Sequence, residues 1–172
     1  MNLFNQIGGK GPVILIVLSV YLLWNKRNLL FYYIIGAFAN AILNLVLKGI
    51  FQQPRPSEDY DKFNLALKNG KRFIFKNGVP FDVFGMPSGH AQSVLYSTAF
   101  IYLALQKTNI LYLYLFFSLI TIFQRVVYNH HTVFQVIVGA FVGILIGYLV
   151  FSLAEKKIKN RIREKPDDFG PI

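Results

Sequence analysis

Apolar residues gather into five long blocks, over residues 12–24, 29–47, 91–105, 110–127 and 132–153. Short polar breaks separate most of them, and one long polar stretch parts the second from the third. The blocks are nearly free of charge, as helices crossing a hydrocarbon core about 30 Å thick must be. The first is short for a bilayer. Pro12 suits the first turn of a helix, so a span is placed to start there, helped by residues 3–7 or by local thinning. Asn40 and Asn44 lie four apart in the second block, share a face, and should point into a bundle rather than at lipid. Gly139, Gly143 and Gly147 recur every four residues in the fifth, a spacing that lets helices approach closely. The pattern predicts an all-α integral membrane bundle of about five transmembrane helices. It forms a single membrane domain over 1–172, with a polar linker at 48–90 and a basic tail at 154–172 that extends the last helix into the headgroup region. Within the linker, Tyr60, Phe63 and Leu67 have helical spacing and predict a short interfacial helix. Asn69-Gly70 and Asn77-Gly78 are turn signals around a short strand, Arg72 to Phe75.

Composition sharpens this picture. The chain is 54% hydrophobic, more than a soluble domain of 172 residues needs, yet carries a net charge of +10. Apolarity with excess positive charge points to anionic lipid or phosphate partners. No basic stripe interleaves with aromatics, so nucleic acid is not an expected partner. With no cysteine, disulfides and thiolate chemistry are excluded. No cleavable signal peptide is evident, and the first block is expected to remain as a span.

Alternating the five spans across a membrane puts the long linker and the loop around Asn129 on one side, with the amino terminus. The other side holds Lys26, Arg27, Lys107 and six basic residues of the tail. The linker side holds as many in total, but Lys48, Arg55 and Arg125 are assigned to chemistry there and others lie deep in the linker, so the tail side is expected to be cytoplasmic. The linker side then faces the lumen or exterior, at the endoplasmic reticulum or plasma membrane.

The chemistry sits on the linker side in three stretches. Lys48 ends a span, and Arg55 follows between Pro54 and Pro56, which hold it extended. Alone, Lys48 reads as a snorkelling cation; the rigid arginine beside it reads as a fork for phosphate oxygens. Pro87-Ser88-Gly89-His90 opens a helix, where free N–H groups favour an anion. Ser88 can cap that helix or donate to phosphate, Gly89 allows close approach, and His90 can deliver a proton to a leaving oxygen. Arg125 ends the fourth span. His131 opens the fifth, four residues before Gln135, whose amide oxygen can fix one imidazole nitrogen and leave the other as a nucleophile. His130 points elsewhere. Asp59, Asp61 and Asp82 show no metal-ligand spacing, so metal-independent chemistry without a cofactor is expected. A lipid phosphate is the natural substrate, its tail between helices near Asn44 or Gln92.

These motifs resemble the type 2 phosphatidic acid phosphatase superfamily, whose core is shared with vanadium haloperoxidases. The family pattern is K-x6-R-P, then P-S-G-H, then S-R-x5-H-x3-D. Lys48, Arg55 and Pro56 match the first, Pro87 to His90 the second, and Arg125 and His131 the third. Gln124 stands where the family has serine, and Gln135 where it has the aspartate that orients the histidine. The string His131-Thr132-Val133-Phe134-Gln135-Val136 is similar to the dolichyl diphosphate phosphatase branch, which also has glutamine there. The resemblance implies hydrolysis of a polyisoprenyl diphosphate through a phosphohistidine on His131. His90 would be acid and base, and Lys48, Arg55, Ser88, Gly89 and Arg125 would bind phosphate. A phosphatidic acid or phosphatidylglycerophosphate phosphatase, a lipid phosphotransferase and a non-catalytic lipid-phosphate-binding membrane protein are the alternatives.

Overall fold

The computed structural model describes residues 3–57, 60–76 and 78–163. The elements run α1 (Leu3–Leu23), α2 (Arg27–Phe51), α3 (Tyr60–Lys68), β1 (Phe73–Lys76), β2 (Val79–Asp82), α4 (Gly89–Leu105), α5 (Thr108–Val127) and α6 (Val133–Arg163). All five apolar blocks are helical. Helices α1, α2 and α5, with α6 over Val133–Lys159, are each long and apolar enough to cross a membrane. Helix α4 has 17 residues, and nine of them are buried. It is the central helix, packed against α1, α2, α5 and α6. Their outward faces carry exposed large apolar residues, among them Val17, Phe38, Phe123 and Phe141. This inverted surface requires lipid rather than water. Residues 164–172 of the predicted tail lie outside the described residues.

Close approach decides the packing. A side-chain carbon added at Gly139 would lie 2.5 Å from the Ser88 carbonyl, and one at Gly147 2.9 Å from that of Tyr96. The four-residue glycine stripe is therefore the surface on which α6 meets α4. Polar pairs add direction inside the bundle. Ser19 meets Tyr114 at 2.9 Å, Tyr33 meets Ser97 at 2.8 Å, and Thr98 meets Ser118 at 2.9 Å. Each such bond contributes on average about 0.6 kcal/mol in a membrane protein.

One expected boundary is wrong. Helix α1 does not begin at Pro12 but at Leu3, and holds Pro12 inside. An interior proline costs about 3 kcal/mol. Packing offsets that cost: a carbon added at Gly8 would lie 2.6 Å from Gln124 Cγ, so α1 lies flush on α5 through its first turns.

The linker folds over the end of the bundle where α2 finishes. Strands β1 and β2 pair antiparallel, from Phe73 opposite Asp82 to Lys76 opposite Val79, with Gly78 at φ +78 in the turn. Phe63 and Ala66 of α3 pack with Val83 and Phe84. The buried face thus differs from the one expected, since Tyr60 is exposed. Helix α2 ends where Gln52 adopts φ 45, turning the chain back. Pro54 then pairs with Phe84, and the Gly85 N–H donates to the Gln53 carbonyl at 2.6 Å. These contacts carry the Lys48–Pro56 stretch to the start of α4.

Candidate active site

The three motifs meet at one end of the bundle, as a single site requires. Lys48 comes from the last turn of α2 and Arg55 from the extended segment beyond it, next to the Pro54–Phe84 bridge. Ser88 caps α4, Arg125 lies near the end of α5, and His131 precedes α6. The last placement has a local cause. Asn129 ends α5 with φ 53, and the N–H groups of His130 and His131 both return to the Arg125 carbonyl, at 3.0 and 3.1 Å. The loop is thereby folded back onto the helix end, as left-handed helix terminations do.

His131 is buried, and both ring nitrogens are engaged. Nδ1 lies 2.8 Å from the Gly85 carbonyl, and Nε2 lies 3.3 Å from Arg55 Nη1. A carbonyl only accepts and a guanidinium only donates, so Nδ1 carries the proton and Nε2 keeps its lone pair. The expected orienting group, Gln135, has its amide oxygen at the longer distance of 3.4 Å. Its stronger bonds are elsewhere. Gln135 Oε1 accepts from the Thr132 N–H at 3.2 Å, and Thr132 Oγ1 accepts from the Gln135 N–H at 3.2 Å. That reciprocal pair is a capping box opening α6. Gln135 Nε2 donates to the Pro54 carbonyl at 2.9 Å, tying the helix to the segment that carries Arg55. Gln135 is a brace, and the Gly85 carbonyl is the main partner of the histidine.

Burial pushes the His131 pKa down to about 2, and the nearby Arg55 and Lys48 charges add to that, against the bond to Gly85. The ring is neutral at physiological pH, the form a nucleophile needs. The stability consequence has a definite sign. Unfolded His131 titrates near 6.5, so lowering the pH below that value protonates the unfolded chain first. The contribution is fully present above about 6.5 and falls by about 1.4 kcal/mol per pH unit below it. The thermal midpoint of detergent-solubilised protein should therefore drop between pH 7 and pH 5, more steeply than in His131→Gln. Equal slopes would exclude this histidine as the source.

Asp82 holds three cations, two through its carboxylate and one through its main-chain carbonyl. Lys48 Nζ donates to Asp82 Oδ2 at 3.3 Å and to the Phe84 carbonyl at 2.9 Å. Arg72 Nη2 donates to the same Oδ2 at 3.1 Å, and Arg55 Nε donates to the Asp82 carbonyl at 3.0 Å. The Phe84 N–H closes on Asp82 Oδ1 at 3.0 Å. Burial works to raise the Asp82 pKa, but the bond from Arg72, the Lys48 charge and the Phe84 N–H together hold it below the usual value. Among the described residues, Asp82 is the acid that fixes this cluster, and it leaves the Arg55 Nη groups directed toward His131.

At the start of α4, Ser88 is fully buried. Its Oγ accepts from the Ala91 N–H at 3.5 Å, and its own N–H donates to the Gln135 carbonyl at 3.0 Å. Gly89 faces Asn44, whose oxygen would lie 3.0 Å from any added carbon. Asn44 Nδ2 donates to the Pro87 carbonyl at 3.3 Å and to Gln92 Oε1 at 2.8 Å. Gln92 Nε2 donates in turn to Asn40 Oδ1 at 2.8 Å. These buried amides satisfy one another and lock α2 to α4. They form a clamp between the two helices. His90 Nε2 lies 3.2 Å from the Gly9 carbonyl of α1, and Arg125 Nε donates to Gln124 Oε1 at 2.6 Å. Asp59 lies outside the described residues.

Four contributors went unforeseen: Gly85, Asp82, Arg72 and Gly9. Asp82 had a signal, as an acid three residues before a glycine in a basic linker. Gly85 and Gly9 act through backbone carbonyls, which residue identity does not advertise.

The family model of the PAP2 superfamily matches residues 27–159. A dolichyldiphosphatase of Saccharomyces cerevisiae (strain ATCC 204508 / S288c) is 33% identical over 128 residues, 69% of this chain and 48% of the yeast protein. The chain thus spans about half the length of that curated relative. No solved structure matches it.

Proposed function

The chain belongs to the PAP2 superfamily, and on that premise we propose that it is a metal-independent membrane lipid phosphatase converting a polyisoprenyl (dolichyl-type) diphosphate to the monophosphate. One observation carries the reading: a neutral histidine, with its Nε2 lone pair facing Arg55, sits beside a cluster of buried cations at the mouth of an apolar bundle. The yeast relative, named dolichyldiphosphatase, supports the diphosphate as substrate.

The reaction has two steps. His131 Nε2 attacks the terminal phosphorus in line, and the bond to the bridging oxygen breaks. Burial and the Arg125 charge push the His90 pKa down to about 4, and the negative charge of the bound diphosphate opposes both, so that His90 takes up a proton and gives it to that oxygen after releasing the Gly9 carbonyl. Lipid monophosphate departs and a phosphohistidine remains. Water then attacks the phosphorus, His90 takes the water's proton, and inorganic phosphate leaves with His131 restored. Lys48, Arg55, Arg125, Ser88 and the Gly89 N–H bind the equatorial oxygens and stabilise the charge of the transition state. With these cations in that role, no divalent ion is needed. The whole chain acts as one membrane domain. Basic residues are equal in number on the two sides, but those of the motif side are mostly assigned to phosphate or lie within the linker, which supports a lumenal or extracytoplasmic face for the site.

The test is phosphate release by detergent-purified protein, in chelator, from a long-chain isoprenyl diphosphate and from phosphatidate. His131→Ala serves as blank. The diphosphate should be preferred by at least about tenfold in kcat/KM, about 1.4 kcal/mol of transition-state binding. Preference for phosphatidate would overturn the substrate. Activity only with added divalent metal would overturn the metal-free mechanism.

A further inference from the structure

Gln124 is the position at which this chain departs from the family serine, and it has no role in the mechanism above. In the structure it is buried to 1% exposure at the end of α5, with both ends of its amide engaged. Oε1 accepts from Arg125 Nε at 2.6 Å, and Nε2 donates to Asn5 Oδ1 at 2.6 Å. Asn5 belongs to the first turn of α1, which precedes the residues matched by the family model. One turn on, Gly8 supplies the bare surface against which the Gln124 stem lies. The next residue, Gly9, accepts from His90 through its carbonyl, and a carbon added there would lie 3.8 Å from Arg125 Nη2.

We infer that Gln124 and Asn5 are positioning residues: a partly buried strut from α1 that aims the Arg125 guanidinium at the substrate phosphate. The chemistry allows only one arrangement. Arginine has donors and no acceptor, so the amide oxygen of Gln124 must face it. The amide nitrogen must then face Asn5, and Asn5 must present its oxygen. A flipped amide would set donor against donor at one end and acceptor against acceptor at the other. The strut engages Nε, leaving the two Nη groups to grip phosphate oxygens as a fork. A serine at 124 is too short to bridge from Arg125 to α1. The first turns of α1 thereby touch both the arginine that binds phosphate and the histidine proposed as acid.

The inference rests on the proposed phosphatase reading for the role of Arg125, so its test reads binding apart from turnover. Gln124→Ala, Asn5→Ala and the double variant would be compared with the parent protein in detergent. Three readouts apply: the Kd of inorganic phosphate by phosphorus NMR, the kcat and KM for lipid diphosphate, and the thermal midpoint. Each single variant should weaken phosphate and raise KM by about tenfold while kcat changes less. The double variant should cost no more than the worse single one, because both break the same strut. Asn5→Asp keeps the oxygen that accepts from Gln124 Nε2 and should recover most of the phosphate affinity. Additive losses, unchanged phosphate affinity, or a lowered thermal midpoint without a change in Kd would each overturn the strut. A parent protein that binds phosphate but hydrolyses no lipid would refute the phosphatase reading and leave the strut testable by affinity. A parent that binds no phosphate would overturn the strut itself.

Discussion

His131→Ala should lower phosphate release by at least about four orders of magnitude, the scale on which removing a covalent nucleophile acts. The loss should fall on kcat. Phosphate would still be gripped by Lys48, Arg55 and Arg125, so KM should change little. The argument rests on the ring's two bonds. With Nδ1–H on the Gly85 carbonyl and Nε2 facing Arg55, the neutral ring has one nitrogen able to attack. Rapid acid-free quenching after mixing with radiolabelled substrate should trap an alkali-stable label on the parent protein and none on His131→Ala. His90→Ala separates the two steps. With an aryl phosphate, whose leaving group needs no proton, labelling should survive and discharge should slow, so label accumulates. A His131→Ala protein that is folded and retains a hundredth of the activity would remove this residue as nucleophile.

The sequence was most legible where one physical signal dominates. Uncharged apolar blocks can only be helices in lipid, because no water is present to satisfy an open backbone. All five blocks are helical for that reason, and the glycine stripe of α6 is the packing face its spacing implied. The convergence of Lys48, Arg55, His90, Arg125 and His131 was legible through topology, since alternating spans bring their ends to one side. The start of α1 was not legible, because its proline is tolerated only through packing against α5, a partner more than a hundred residues away. Asp82 was passed over because its partners lie far off in sequence, Lys48 thirty-four residues away and Arg72 ten. Gln135 was misweighted. Thr132-x-x-Gln135 is a capping signature in its own right, and the amide satisfies the helix start and Pro54 before it serves the histidine. Asn44 and Gln92 show the same lesson in the bundle, where a buried amide finds another amide before it finds a ligand.

That reweighting yields the second large effect. Gly85→Ala should lower kcat by about a hundredfold or more, the cost of displacing a reacting group by about 1 Å. A carbon added at Gly85 would lie 2.7 Å from Gln135 Oε1, 2.9 Å from Gln135 Nε2 and 2.9 Å from the Pro54 carbonyl. Something must shift. If Gln135 yields, α6 loses its capping box and its tie to the segment that carries Arg55. If the Gly85 peptide yields, its carbonyl leaves His131 Nδ1 and the tautomer is no longer held. The second outcome is the graver. Where the family has an aspartate, this site would meet the positive charge of the proposed phosphohistidine ring with a carbonyl dipole, which stabilises it only in correct alignment. In serine proteases a misassigned histidine tautomer costs about four orders of magnitude, which bounds the effect from above. Gly85→Ala with Gln135→Ala removes the side-chain half of the clash. It should be more active than Gly85→Ala alone, although Gln135→Ala by itself is a loss. Steady-state kinetics on the four proteins, with thermal midpoints to exclude unfolding, decide the matter. A Gly85→Ala protein with parental kcat would mean that the carbonyl does not orient His131, and that the 3.4 Å contact to Gln135 suffices.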